Sequence, residues 1–145
     1  FDKLADTHNV YKIRTIGDAY MCVSGLDRCT NIEGAERIAL FALDVLELVK
    51  RFRTDDGKQL LVRVGIHSGP AIAGFAGTVR PWYTLFGETV DIAARMESSS
   101  EEMKIQCSAA TYCLLLRASN YNFRFSDTSA QVGDCRRQAH SIYID

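Results

Sequence analysis

The sequence predicts an α+β sandwich, with helices laid against a largely antiparallel sheet, and three observations carry that prediction. Strand-like and helix-like segments are mixed without the strict alternation of a parallel doubly wound fold. Ile38, Phe41, Ala42, Val45, Leu46, Val49 and Phe52 recur at helical spacing. Val62, Val64 and Ile66 alternate with Arg63, Gly65 and His67, the pattern of a strand buried on one face.

In chain order, Tyr11-Lys12-Ile13-Arg14-Thr15-Ile16 is rich in β-formers and Met21-Cys22-Val23 is a second apolar run. The Gly17-Asp18 pair between them is a hairpin signal. The long amphipathic helix then runs from an N-cap at Asn31 to a stop at the cluster Thr54-Asp55-Asp56-Gly57. Gly69-Pro70 ends the alternating strand. Residues 71–77 read as a short strand packed closely enough to need small side chains. Tyr83-Thr84-Leu85-Phe86 makes another strand, and residues 88–97 are helical, with Val90, Ala93, Ala94 and Met96 available for packing. A short strand at 104–107 leads to a helix capped by Ser108 and carrying Tyr112, Leu115 and Leu116. Strands at 121–125 and 141–144, separated by a polar loop, complete the chain.

The 145 residues suit one domain, and there is no repeat, low-complexity tract or internal linker. Hydrophobic residues at 47% and charged residues at 24% are ordinary for a soluble globular protein. A formal net charge of −1 gives no reason to expect a nucleic-acid partner. No apolar run approaches the roughly 18 residues that span a bilayer, so direct membrane insertion is not expected. Phe1-Asp2-Lys3-Leu4 is not a signal peptide and reads as the middle of something longer. The five cysteines, Cys22, Cys29, Cys107, Cys113 and Cys135, form no CxxC pair or regular spacing. They read as small apolar filler in a reducing compartment, not as a disulfide or zinc framework.

Several residues have chemistry that each alone leaves open. Asp18, on a tight turn between strands, could present its carboxylate to a hard cation such as Mg2+, or could simply support the hairpin. Gly69, Gly74 and Gly77 lack the spacing of a phosphate-binding loop and are expected to serve close backbone packing. His67 has no partner that sequence can place beside it and is treated as structural. Arg95 follows Asp91 by four residues on a predicted helix, the spacing of a solvated ion pair.

Together the blocks are more specific. Residues 11–21 with Val23-Ser24-Gly25-Leu26, then Val64-Gly65-Ile66-His67-Ser68-Gly69-Pro70 with Ala73-Gly74 and Gly77, resemble hallmark segments of class III nucleotide cyclase catalytic domains. Leu85-Phe86-Gly87-Glu88-Thr89-Val90, Ala93-Ala94-Arg95-Met96-Glu97-Ser98, and Lys104-Ile105 with Ser108 and Thr111 continue the resemblance in order along the chain. It looks most like the domains of eukaryotic receptor cyclases. The resemblance implies a ferredoxin-like cyclase sandwich occupying 1–145, with the family's first strand and its following helices lying upstream of Phe1. It implies a cytosolic domain, with a membrane tether outside this chain left open.

What the family implies for chemistry is a dimer, homomeric or heteromeric, with active sites at the subunit interface. There the ribose 3′-hydroxyl of ATP or GTP attacks the α-phosphorus and releases pyrophosphate, with two Mg2+ or Mn2+ ions stabilising the attacking and leaving oxygens. Asp18 matches the second of the family's two metal aspartates; the first falls upstream. Guanylyl cyclases carry Glu, Arg and Cys where this chain has Arg14, Trp82 and Thr84. Adenylyl cyclases place Lys at the first of these and Asp or Thr at the third, so Arg14 with Thr84 resembles the adenine set more, and the expected substrate leans to ATP. Arg95 matches an arginine that stabilises charge on the α-phosphate. Asp91 stands where the family has an asparagine donor, and an ionised carboxylate cannot donate. Arg136, with Arg137 beside it, aligns loosely with a late basic residue that grips the triphosphate. A competing expectation is a degenerate cyclase-fold subunit that dimerises and regulates, or supplies half of one site.

Overall fold

The computed structural model describes residues 1–128 and 139–144, with side chains described through residue 125. The first element is one the sequence pattern did not announce, a short helix α1 (Asp2–Thr7) that buries Ala5. The hairpin of β1 (Tyr11–Ile16) and β2 (Ala19–Val23) follows, turning at Gly17 with φ +60°. Its register slips between Lys12 and Arg14: Lys12 pairs with Cys22 and Arg14 with Met21, leaving Ile13 as an extra residue on β1. This β-bulge interrupts the alternation of faces.

Helix α2 (Asn31–Arg51) organises the interior. It begins one residue before the expected cap: Thr30, extended, accepts from the Glu33 N–H through Oγ1 at 3.2 Å, and Glu33 Oε2 accepts from the Thr30 N–H at 2.7 Å. The T-x-x-E spacing is that of a capping box, and it outcompetes Asn31, which becomes the first helical residue. The helix also ends earlier than expected, at Arg51, with Phe52 extended. The cluster read as its stop forms a separate tight turn, in which Gly57 adopts φ +78° and its N–H donates to the Thr54 carbonyl at 2.8 Å. Two faces of α2 are buried. Ala35, Ala39, Ala42 and Leu46 pack with Ile66, Ile105, Cys107 and Leu115, while Phe41, Val45 and Val49 pack with Ala5 and Val10. A helix with two apolar faces is expected to sit inside the domain, between layers.

The larger sheet has the order β3-β6-β8-β7, from β3 (Val64–Ile66), β6 (Ile105–Ser108), β7 (Phe123–Thr128) and β8 (Ala139–Ile144). β3 and β6 are parallel, and the other pairs are antiparallel. The alternating strand is shorter than its pattern: Val62 packs on the core but lies outside β3. Between β3 and β6 run β4 (Ile72–Ala76), β5 (Trp82–Phe86) and helix α3 (Glu88–Ser98). β4 and β5 form their own antiparallel hairpin, so the sheets number three among the described residues, not one. Close packing is not what shapes β4, contrary to expectation: Ile72 is 74% and Phe75 76% exposed, and a Cβ on Gly74 would make only ordinary contact, 3.7 Å from Phe86 Cε2. A glycine that close packing requires more severely is Gly65, where a Cβ would come within 2.0 Å of the Glu97 nitrogen as α3 presses onto β3. Ser108 caps helix α4 (Ala109–Leu116) as expected, its Oγ accepting from the Thr111 N–H. Leu115 faces the core, whereas Leu116 is exposed.

Candidate functional site

Four elements line one cavity of about 520 Å3, β4 through Ala76 alone. β1 contributes Arg14, just past the bulge; β5 contributes Trp82 and Thr84, two residues apart and so on one face; the first turn of α3 contributes Glu88 and Asp91. Gly87, with φ +130°, turns the chain sharply from β5 into α3 and so brings the helix start against the strand end. The volume falls in the range of small-molecule sites.

Two residues of this cavity carry a buried polar atom without a partner. Thr84 is 4% exposed and its Oγ1 has no hydrogen-bond partner; Arg14 Nε is likewise buried and unpaired. A buried donor or acceptor without a partner costs about 1–3 kcal/mol, so such atoms call for a ligand or water. The two differ in kind. A guanidinium N–H only donates, whereas a hydroxyl both donates and accepts. With Glu88 and Asp91 also on the wall, the cavity presents one cation and two carboxylates around an apolar flank that includes Trp82 and Phe86.

The remaining sequence-derived candidates are placed apart from it. Asp18 is exposed at the tip of the β1–β2 turn and does not line the cavity. Arg95 lies one turn along α3 from Asp91, exposed, and no ion pair joins the two, so the expected i, i+4 bridge is not made. Arg136 and Arg137 lie outside the described residues. Among the described residues no group of three His, Cys, Asp or Glu side chains could hold a metal ion.

The structure also supplies a partner that sequence could not. His67 Nδ1 lies 2.6 Å from Ser108 Oγ, and Ser68 Oγ lies 2.9 Å from Thr111 Oγ1. These contacts tie the end of β3 to the start of α4 across about forty residues of chain. The chain then reaches α3, where Thr89 Oγ1 donates to the Pro70 carbonyl at 2.6 Å. A Cβ on Gly69 would approach that hydroxyl to 2.6 Å, and one on Gly77 would approach Trp82 Cζ3 to 2.7 Å, so for these two glycines the close-packing expectation holds. Glu88 was missed as a wall residue; its place directly after the Phe86-Gly87 turn was the available signal. The four described cysteines are free; Cys107 is buried as the filler reading expects, Cys22 and Cys29 are half-buried, and Cys113 is exposed on α4, against that reading. No helix among the described residues is long and apolar enough to cross a membrane.

Comparison with known proteins gives this arrangement its context. The family model described as the adenylate and guanylate cyclase catalytic domain matches residues 1–142. Guanylate cyclase 2G of Mus musculus is 41% identical over 135 residues, which is 92% of this chain and 12% of that protein, so the chain spans about an eighth of the relative's length. Among solved structures, the guanylate cyclase domain of RhGC from Catenaria anguillulae in complex with GTP superposes with a TM-score of 0.85 at 34% identity, covering 99% of this chain and 77% of that one. A non-canonical dimeric guanylyl cyclase domain of the RhoGC fusion protein from Blastocladiella emersonii gives 0.79 at 34% identity, covering 97% and 75%. With the match running through β1, β5 and α3, the elements that build the cavity, the chain belongs to the adenylate and guanylate cyclase catalytic domain family.

Proposed function

We propose that this chain is a nucleotide cyclase catalytic domain that binds the purine of a nucleoside triphosphate in the cavity of Arg14, Trp82 and Thr84 and forms a 3′,5′-cyclic monophosphate with release of pyrophosphate. The observation that carries the reading is the pair of buried, unpartnered polar atoms, Arg14 Nε and Thr84 Oγ1, on the wall of one cavity. The pair favours adenine. Adenine N1 accepts what Arg14 donates, and Thr84 can accept from the 6-amino group; guanine turns an N1–H donor toward the guanidinium, where two donors oppose each other. A specific observation favours GTP instead: the relatives named above are guanylate cyclases.

The residues around the cavity divide the remaining work. Arg95, on the solvent side of α3, is the candidate to neutralise charge developing on the α-phosphate, and Arg136 to hold the triphosphate. Asp18 is the candidate for one ligand of Mg2+ or Mn2+, ions that neutralise triphosphate charge when bound. Because Asp18 lies outside the cavity, the proposal requires two chains: the carboxylate of one faces the purine cavity of the other. The exposed apolar side chains of the β4–β5 hairpin, Ile72, Phe75 and Val79 at 91%, support a dimer, as does the dimeric structural relative. The domain is proposed to work in the cytosol.

Asp91 supports a second reading, a subunit that pairs with another cyclase domain and contributes only half a site. A carboxylate at the start of α3 cannot donate to a phosphate and repels it. Cyclic nucleotide production by the full-length protein, with ATP and GTP at matched concentration and Mn2+, decides between them. Turnover of ATP above GTP that is abolished by Asp18→Ala is the expected result. Faster turnover of GTP would overturn the adenine assignment, and no turnover from a folded dimer would overturn catalysis in favour of the half-site subunit.

A further inference from the structure

We propose that Trp82, seated by Gly77, is the apolar wall on which the purine ring lies, so that the indole supplies affinity for any purine while Arg14 and Thr84 read its edge. The inference rests on the nucleotide-binding reading above. Trp82 and Thr84 stand two residues apart on β5 and line one cavity, but at different depths: Thr84 is 4% exposed with its Oγ1 buried, and Trp82 is 48% exposed. The cavity therefore has a polar floor and an aromatic rim. A ligand that satisfies both must be flat and apolar over its faces and carry hydrogen-bonding groups on one edge, which describes a nucleobase.

The indole is held at that rim by the hairpin itself. Ala76 pairs with Trp82, and Gly77 then leaves the strand with φ +94°. A Cβ at Gly77 would come within 2.7 Å of Trp82 Cζ3, 3.2 Å of Cε3 and 3.0 Å of the Arg80 carbonyl oxygen. The six-membered ring of Trp82 thus fills the space a side chain at 77 would take. Glycine is required there twice, for its backbone angle and for the indole. An aromatic side chain fixed in advance loses little freedom on binding a ring, which makes it an efficient contact. Every base has a π-face, so the contact is indifferent to adenine or guanine.

Binding affinities of ATP, GTP and base-less ribose triphosphate for the full-length protein test this, with Trp82→Ala and Trp82→Phe. Trp82→Ala is expected to weaken ATP and GTP by one common factor, about 5- to 150-fold, the span measured for loss of a base–aromatic stack. The base-less triphosphate should bind as before, and Trp82→Phe should recover most of the loss. If Trp82→Ala leaves both nucleotides unaffected while Arg14→Ala weakens them, the wall assignment fails and the nucleotide reading stands. If neither variant changes nucleotide affinity, the nucleotide reading falls with it. Equal weakening of the base-less triphosphate, or loss of the dimer in Trp82→Ala by sedimentation, would show the indole packing against a protein surface and overturn the inference.

Discussion

Replacing Thr84 by valine removes one oxygen from the floor of the cavity and should push folding and binding in opposite directions. Thr84 is 4% exposed and its Oγ1 is buried without a partner, so the ligand-free protein carries the desolvation cost of a buried polar atom, about 1–3 kcal/mol. Valine presents a methyl of similar size in the same rotamer well. The ligand-free domain should gain about 1 kcal/mol, which in a domain of this length raises the melting temperature by about 2–4 °C. With adenine bound, the 6-amino group would meet that methyl instead of an acceptor. Leaving a buried donor unpaired costs about 1–3 kcal/mol, or roughly 5- to 150-fold in affinity. Thermal unfolding without nucleotide, and equilibrium binding of ATP, read the two effects separately. A valine variant that melts lower, or that binds ATP as tightly as the parent, would refute the assignment of Thr84 as an unsatisfied ligand contact.

Other expectations follow from the same geometry. Asp91→Asn restores a donor at the head of α3 and should raise kcat by about 10²–10³-fold, the effect of one positioned hydrogen bond on a developing oxyanion; an unchanged kcat would remove Asp91 from the chemistry. Arg14→Glu combined with Thr84→Cys exchanges a donor for an acceptor on the cavity wall. It should shift the ratio of ATP to GTP turnover toward GTP by at least about tenfold, the effect of one hydrogen-bond mismatch. Gly65→Ala forces a methyl into the backbone of α3 at Glu97 and should lower stability by about 1–3 kcal/mol or more, seen as an earlier denaturant midpoint. In thiol alkylation at pH 8, Cys113 should react while Cys22, whose thiol burial pushes up to about 12, stays protected; modification mapped by mass spectrometry checks it.

The parts of the molecule legible in the sequence were those whose cause is local. The apolar period of α2, the Gly17 turn and the Ser108 cap are each written within a few residues, and the structure has them. The boundaries of α2 moved because competing local bonds decide them: the reciprocal Thr30–Glu33 pair at one end, the closed Thr54–Gly57 turn at the other. What could not be read depended on distant approach. Gly65 looked like one member of an alternating strand, and only α3 lying across it makes a side chain there impossible. His67 lacked a visible partner because Ser108 is 41 residues away. The cavity was legible only as scattered positions carried by family resemblance; that Arg14, Trp82, Thr84 and Asp91 share one wall is a fact of tertiary structure. Exposure misled in the opposite direction on β4, where small apolar residues signalled packing and the hairpin instead holds Ile72 and Phe75 out to solvent.

The surplus residue in the first hairpin has a bearing on how selectivity could change. Between Lys12 and Arg14 strand β1 spends one more residue than β2 does, so the strand carries a spare unit that a change of length can consume. Loss of a single codon between Arg14 and the Gly17 turn, with the bulge taking up the slack, would set Ile13 opposite Met21 and Arg14 opposite Tyr20, on the other face. Arg14 would turn away and a neighbour would take its place, with the wall on β5 untouched. Chain length at one point, and not only the identity of contact residues, is thus a dial on ligand choice, one that shifts in whole steps where point substitutions move it by degrees.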